Sequence, residues 1–382
     1  MLVWLGSCAV TAFLAAAIAA LAAVLPAPTF HIIFTAGAMP LICGAIIHFV
    51  PVLTRSSTPS RAIYYLPLPV QLAGIATPLG LAGILPVWSL HAAATTVSLA
   101  ALALTVWIAR RLRTTLGAPH PGARWYGAAL LCLFFAVSLV PVWLAIPELR
   151  PALRLFHLHL NTLGFIGLAA LGTLPVLLPT VLGRQDTDAA NRLRRDLPVA
   201  AGGAVLVAAG ATAAIWLAVL GALLLAWVAG RNLLAWQRVF GMRAIVGAGG
   251  TASLAVATAG FMLLLLAGIA HGMGWIAARP ALAAYIALFL LPLVTGALSQ
   301  LLPVWRYPGS DSPMRRAMSL RLARGGRLRA ALFLAGGLLL ALDFSVGILP
   351  VALGLALFAL ALCMSFWLDR AGASDDNSRP PS

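Results

Sequence analysis

Gly44–Pro51 reads GAIIHFVP, Gly172–Pro179 reads GTLPVLLP and Gly296–Pro303 reads GALSQLLP. Each sets a proline seven residues after a glycine, at the end of a long apolar run. The prolines are separated by 128 and 124 residues. A pattern that returns at a fixed period is the signature of an internal structural repeat. Two copies agree further: Met39–Val52 (MPLICGAIIHFVPV) and Leu291–Val304 (LPLVTGALSQLLPV) share Pro-Leu, Gly-Ala and Pro-Val pairs in register. Twenty residues before each proline stand His31, His159 and Ala283. Two of three equivalent positions are therefore histidine, and the second belongs to the triplet His157-Leu158-His159.

Outward from these motifs the chain is apolar almost throughout. It is 62% hydrophobic and 9% charged, with a mean hydropathy of +1.01. A water-soluble core cannot absorb that much apolar sequence, so the composition reads as a polytopic membrane protein. Twelve spans are expected, at 2–25, 30–53, 62–85, 88–109, 125–146, 154–182, 197–214, 216–236, 245–270, 280–304, 328–345 and 347–368. The pair between Leu197 and Trp236 is the shortest and has the tightest turn. Three repeats over twelve spans give four spans each, with the motifs on spans two, six and ten, all crossing in one direction. The expected fold is an all-α polytopic membrane protein of about twelve helices in a pseudo-threefold, three-by-four bundle. Residues 1–370 form one transmembrane domain with repeat units closing near 51, 179 and 303. The polar, proline-ended stretch 371–382 reads as a disordered cytoplasmic tail. The first span lacks a basic start and runs straight into the second, so no cleavable signal peptide is expected.

A net charge of +16 invites a nucleic-acid reading, which its distribution argues against. The chain has no lysine, and all but Arg150, Arg154 and Arg279 of its arginines fall in alternate loops and the tail. The positive-inside rule then places both termini in the cytoplasm of a bacterial-type inner membrane. The basic loops are topology determinants beside anionic lipid. Cys8, Cys43, Cys132 and Cys363 lie in apolar spans without CxxC spacing, as packing residues and not a disulfide framework.

Five of the seven histidines gather at the outer level of this topology. His31 opens span two, His91 stands near the start of span four, His157 and His159 near the start of span six, and His271 at the end of span nine. His48 lies near the cytoplasmic end of span two and His120 in a cytoplasmic loop. Neutral imidazole is the commonest metal ligand and an axial ligand of haem iron. Ionisable groups within a membrane are costly and mark function. Residues two apart on a helix point about 200° apart, so His157 and His159 serve two sites flanking one helix. His31 and His159, at the same place in the repeat, can approach a common axis at equal depth.

These residues resemble subunit I of the haem-copper oxidase superfamily, a twelve-helix bundle of three arcs. His31-Ile32-Ile33-Phe34, Met39-Pro40 and Phe49-Val50-Pro51 are similar to that family's second helix. His157-Leu158-His159-Leu160-Asn161, with Gly164, Gly167 and Pro179, is similar to its tenth. The resemblance implies His31 and His159 as the axial pair of a low-spin haem and His157 as the ligand of a second haem. It implies b-type haem, one or two per chain, with copper as a further occupant. It covers about fifty residues closely; beyond them only helix count and topology agree. The family's copper-site motifs, His-x-x-x-Tyr and an adjacent His-His, are absent, and the HxH lies on span six instead of the tenth. His91 and His271 are left as the candidates for a second metal site. The NnrS-type proteins, twelve-span haem- and copper-containing relatives linked to nitric oxide stress, are similar in length and share a Leu-Gly-Arg-like turn, here Leu182-Gly183-Arg184.

The only glutamate is Glu148, in an outer loop, and Asp343 is the one acid read as lying inside a span. With so few membrane carboxylates, no proton path for pumping is legible. The function expected is a membrane haem protein for electron transfer, or for binding or reduction of nitric oxide or oxygen, fed by a quinol or a cytochrome. Whether it is an oxidoreductase stays open. The alternatives are a twelve-span transporter and a haem- or copper-handling assembly factor; three-fold repetition and polar residues at one surface speak against the transporter.

Overall fold

The structure, a computed structural model, describes residues 1–22, 26–115, 117–276, 281–309 and 312–376. It is an all-α polytopic membrane protein, with no strand among the described residues. Eleven helices are long and apolar enough to cross a membrane. They are α1 (Leu2–Leu21), α2 (Pro26–Leu53), α3 (Arg61–Leu81), α4 (Trp88–Thr114), α5 (Gly122–Ala145), α6 (Pro147–Leu182), α7 (Ala189–Ala213), α8 (Ile215–Phe240), α9 (Gly249–Gly272) and α10 (Ala281–Arg306), with the eleventh near the C-terminus. A short helix, α11 (Pro313–Ala323), follows α10, then α12 (Gly326–Ala341) and α13 (Ile348–Asp376), whose apolar part is that eleventh span. At 16 residues α12 is shorter than the eleven long helices and covers much of the expected span 328–345. The two spans between Leu197 and Trp236 form full helices, α7 and α8, joined at the extended residue Ala214.

Within the stretch read as one domain, 1–370, the described residues gather into two compact units. The first comprises Met1–Thr180, Arg184–Leu234 and Met262–Ala278; the second comprises Val181–Gly183, Ala235–Phe261 and Arg279–Ser382. α13 continues to Asp376, into the stretch read as a disordered tail, because no proline interrupts it before Pro380. The rest of that tail, 377–382, and Arg279 lie outside the described residues.

The motif helices are the innermost of their units. Of the most apolar window, 61% is buried in α2 and 72% in both α6 and α10, against 28–44% in the other spans. The motif glycines explain the close packing. A Cβ on Gly44 would meet Leu5 of α1 at 2.6 Å, one on Gly172 would meet Trp125 of α5 at 2.5 Å, and one on Gly296 would meet Ser253 of α9 at 3.0 Å. Each copy thus seats its glycine against the first helix of its own four-helix repeat. The motif prolines do not end their helices, which run on to Leu53, Leu182 and Arg306. Each proline's freed carbonyl lies near a helix end, where it is tolerated.

The three motif helices share a further feature. Each contains a π-helical stretch: Ile32–Ala38, Leu160–Gly167 and Ile286–Leu290. These stretches occupy nearly the same place relative to Pro51, Pro179 and Pro303. A π-stretch is rare and is frequently found at functional sites. Three at matched positions make the repeat visible in the backbone as well as in the sequence.

Several arginines read as free loop charges are built into the structure. Arg192 is buried and paired with Asp186 at 2.5 Å. Arg231 pairs with Asp196 at 2.7 Å. Arg111 ties down the loop after α2 through Ser56 and the Ser57 carbonyl. Asp196, on α7, is thus a buried acid within a long apolar helix, where only Asp343 was expected inside a span. Asp343 lies exposed in the turn after α12 with φ 65°. α7 starts at Ala189 and takes in the polar run 192–196 because these ion pairs remove the penalty of carrying it.

Candidate imidazole site

His31 and His159 each immediately precede a π-stretch, in α2 and α6. Polar side chains collect there to satisfy backbone groups that the wider helix releases. The Thr35 hydroxyl lies 2.7 Å from both the His31 and Gly74 carbonyls. Gln71 of α3, buried, donates from Nε2 to the Ala36 carbonyl at 2.8 Å. In α6, Asn161 donates to the His157 carbonyl at 2.8 Å, and Thr162 to that of Leu158 at 2.8 Å. Gly74 is required for α3 to reach α2 here: a Cβ would stand 2.0 Å from the Thr35 carbonyl oxygen.

Four of the seven histidines have one geometry in common. Nδ1 of His31 donates to the Ala27 carbonyl at 2.7 Å, that of His159 to Leu155 at 2.9 Å, and that of His271 to Ile276 at 3.1 Å. Nδ1 of His157 crosses to another helix, donating to the Ala136 carbonyl of α5 at 2.9 Å. The edge of Trp143 packs against the His157 ring, with centroids 5.1 Å apart and planes at 90°. A carbonyl can only accept, so Nδ1 carries the proton in every case and Nε2 presents its lone pair. The loop residue His120 is reversed: its Nδ1 accepts from the Gly122 N–H at 3.2 Å, which puts the proton on Nε2.

His91 stands in the first turn of α4, and no hydrogen bond holds its ring among the described residues. Among those residues no group of three or more His, Cys, Asp or Glu gathers to hold a metal ion.

The third repeat departs from the other two. Its position equivalent to His31 and His159 is Ala283, and its π-stretch is packed with aromatic rings. Tyr285 and Phe289 lie 5.2 Å apart, and Phe289 and Phe261 lie 4.6 Å apart, all three buried.

Sequence reading found the histidines and quoted Asn161 with them, and missed Thr35, Gln71 and Trp143 beside them. Gln71 carried a signal, since it is a lone amide within an apolar span and such residues are costly unless used. No protein-family model matches this chain, and no curated protein or solved structure does so either.

Proposed function

We propose that this is a membrane haem protein in which His31 and His159 are the axial pair of a low-spin haem and His157 is the ligand of a second haem, with His91 and His271 left for a further metal. The observation that carries this reading is the shared Nδ1-to-carbonyl bond, which orients each ring and leaves the Nε2 lone pair for a metal. Metal-ligating histidines are held in this way, and the bond raises their basicity. Pairs of imidazoles favour haem over a bare ion. A protein zinc site draws three or four ligands from the chain, whereas a porphyrin supplies four nitrogens and asks for only one or two.

A bound haem supplies one-electron chemistry, and diatomic gas binding where an axial position stays open. The chain's own residues do the rest. Ala136 and Trp143 fix the His157 ring, Thr35 and Gln71 hold the π-stretch beside His31, and the apolar helices exclude water. Two imidazoles on one iron favour electron transfer, with a quinol or a cytochrome as donor. An iron on a single imidazole would take nitric oxide or oxygen. The arginine distribution supports a placement of the histidines at the outer leaflet of an inner membrane, with both termini inside. The resemblance to the haem-copper oxidase superfamily supports haem as the group.

The test is a dithionite-reduced minus oxidised spectrum of the purified protein in detergent, with pyridine-haemochrome quantitation. A sharp α-band at one or two b-type haems per chain is expected. Protein from haem-replete cells with no Soret band would refute the reading.

A further inference from the structure

The corner between α11 and α12 pairs exposed apolar side chains with exposed cations. Leu320 is 73% exposed and Leu328 is 55% exposed. Arg324 follows Leu320 by one helical turn and Arg327 precedes Leu328; both arginines are exposed. Among the described residues no ion pair engages either one. From Ser312 to Arg329 the chain carries six arginines and no acid.

The corner is also rigid. Gly325, at φ 71°, makes a turn that side-chain-bearing residues resist. A Cβ on Gly326 would stand 2.7 Å from the Gly249 backbone, so the turn is pressed against α9. On the inner side Met318 and Leu322 are fully buried. The buried Arg329 donates to the Leu322 and Arg324 carbonyls at 2.6 and 2.8 Å and lies over the Phe358 ring. The guanidiniums of Arg324 and Arg327 therefore project from a fixed backbone, at most about 11 Å apart at Cα.

We propose that this corner binds the headgroup of an anionic phospholipid, with Arg324 and Arg327 on the phosphate and Leu320 and Leu328 against the acyl chains. Charge complementarity selects the partner: exposed leucines beside uncompensated guanidiniums match the boundary where hydrocarbon meets anionic phosphate. The arginine distribution assigns this loop to the cytoplasmic leaflet, whose surface is negative.

The probe is dioleoylphosphatidylglycerol, with dioleoylphosphatidylcholine as the zwitterionic control, titrated into full-length protein in detergent and read by native mass spectrometry. Wild type should retain phosphatidylglycerol in preference to phosphatidylcholine. Arg324→Gln/Arg327→Gln should weaken that retention about 30-fold, at about 1 kcal/mol per cation, with the thermal midpoint unchanged. Arg324→Lys/Arg327→Lys should keep most of it, which separates charge from folding. Equal retention of both lipids by wild type, or equal phosphatidylglycerol retention by wild type and the glutamine variant, would overturn the proposal.

Discussion

At the scale of the residue, one hydrogen bond separates the histidines into two kinds. Where Nδ1 faces a carbonyl, as in His31, His157, His159 and His271, the neutral ring is a ready ligand. Where Nδ1 accepts, as in His120, the ring is a structural brace at the start of α5. His120 lies outside the membrane-spanning segments, and burial lowers its pKa. The folded state thus prefers the neutral ring, and the unfolded state binds the proton more readily. His120 therefore costs no stability above the unfolded value of about 6.5 and destabilises progressively as pH falls below it. The thermal midpoint of wild type should fall on acidification from pH 7.5 to 5.5. His120→Asn, whose Oδ1 can accept the same N–H, should fall less; an equal fall in both would show that His120 is not the sensor. His31 and His159 were legible in the sequence through repeat position, and each stands just before a π-stretch. Their partners were not: the carbonyl holding His157 belongs to Ala136, on another helix, and a backbone acceptor leaves no mark in residue type.

At the scale of the element, glycine and proline spacing identified the motif helices but not what happens inside them. A π-stretch widens the backbone without a fixed side-chain signature, so Ile32–Ala38, Leu160–Gly167 and Ile286–Leu290 could not be read from composition. The polar run 192–196 was read as loop because charged residues within a membrane helix are rare. Its ion pairs, one of them local to the α6–α7 turn and one reaching α8, became visible only in three dimensions. The motif glycines carry a prediction of their own. Gly172→Ala sets a methyl 2.5 Å from the Trp125 Cβ, against a fully buried tryptophan whose indole also donates to the Leu193 carbonyl at 2.9 Å. Overpacking of this kind costs about 1–3 kcal/mol. The thermal midpoint in detergent should drop accordingly, while Gly202→Ala, in open space on α7, should leave it within error. A Gly172→Ala variant as stable as wild type would mean that α5 and α6 are not so closely packed.

At the scale of the whole molecule, composition and arginine placement are the most legible features, because membrane insertion imposes hydrophobicity and loop charge on every span. The all-α, multi-pass architecture follows directly, and the twelve expected spans correspond to eleven long helices and the shorter α12. Orientation has its own test. A green fluorescent protein fused after Ser382 should fluoresce and an alkaline phosphatase fused there should be inactive; active phosphatase would invert the topology and move the histidines to the inner leaflet. The third repeat, with Ala283 where the others carry histidine, sets the limit of reading function from symmetry. A shared backbone position does not keep a shared ligand.

The most direct measurement is the reduced low-spin haem spectrum of three single variants beside wild type. His31→Ala and His159→Ala should lose one and the same low-spin band, and His157→Ala should spare it. His48→Ala and His120→Ala should leave the spectrum untouched. Joint loss in His31→Ala and His157→Ala, with His159→Ala spared, would contradict the symmetric pairing of the repeat. Unchanged spectra in all three variants would contradict ligation by these imidazoles altogether.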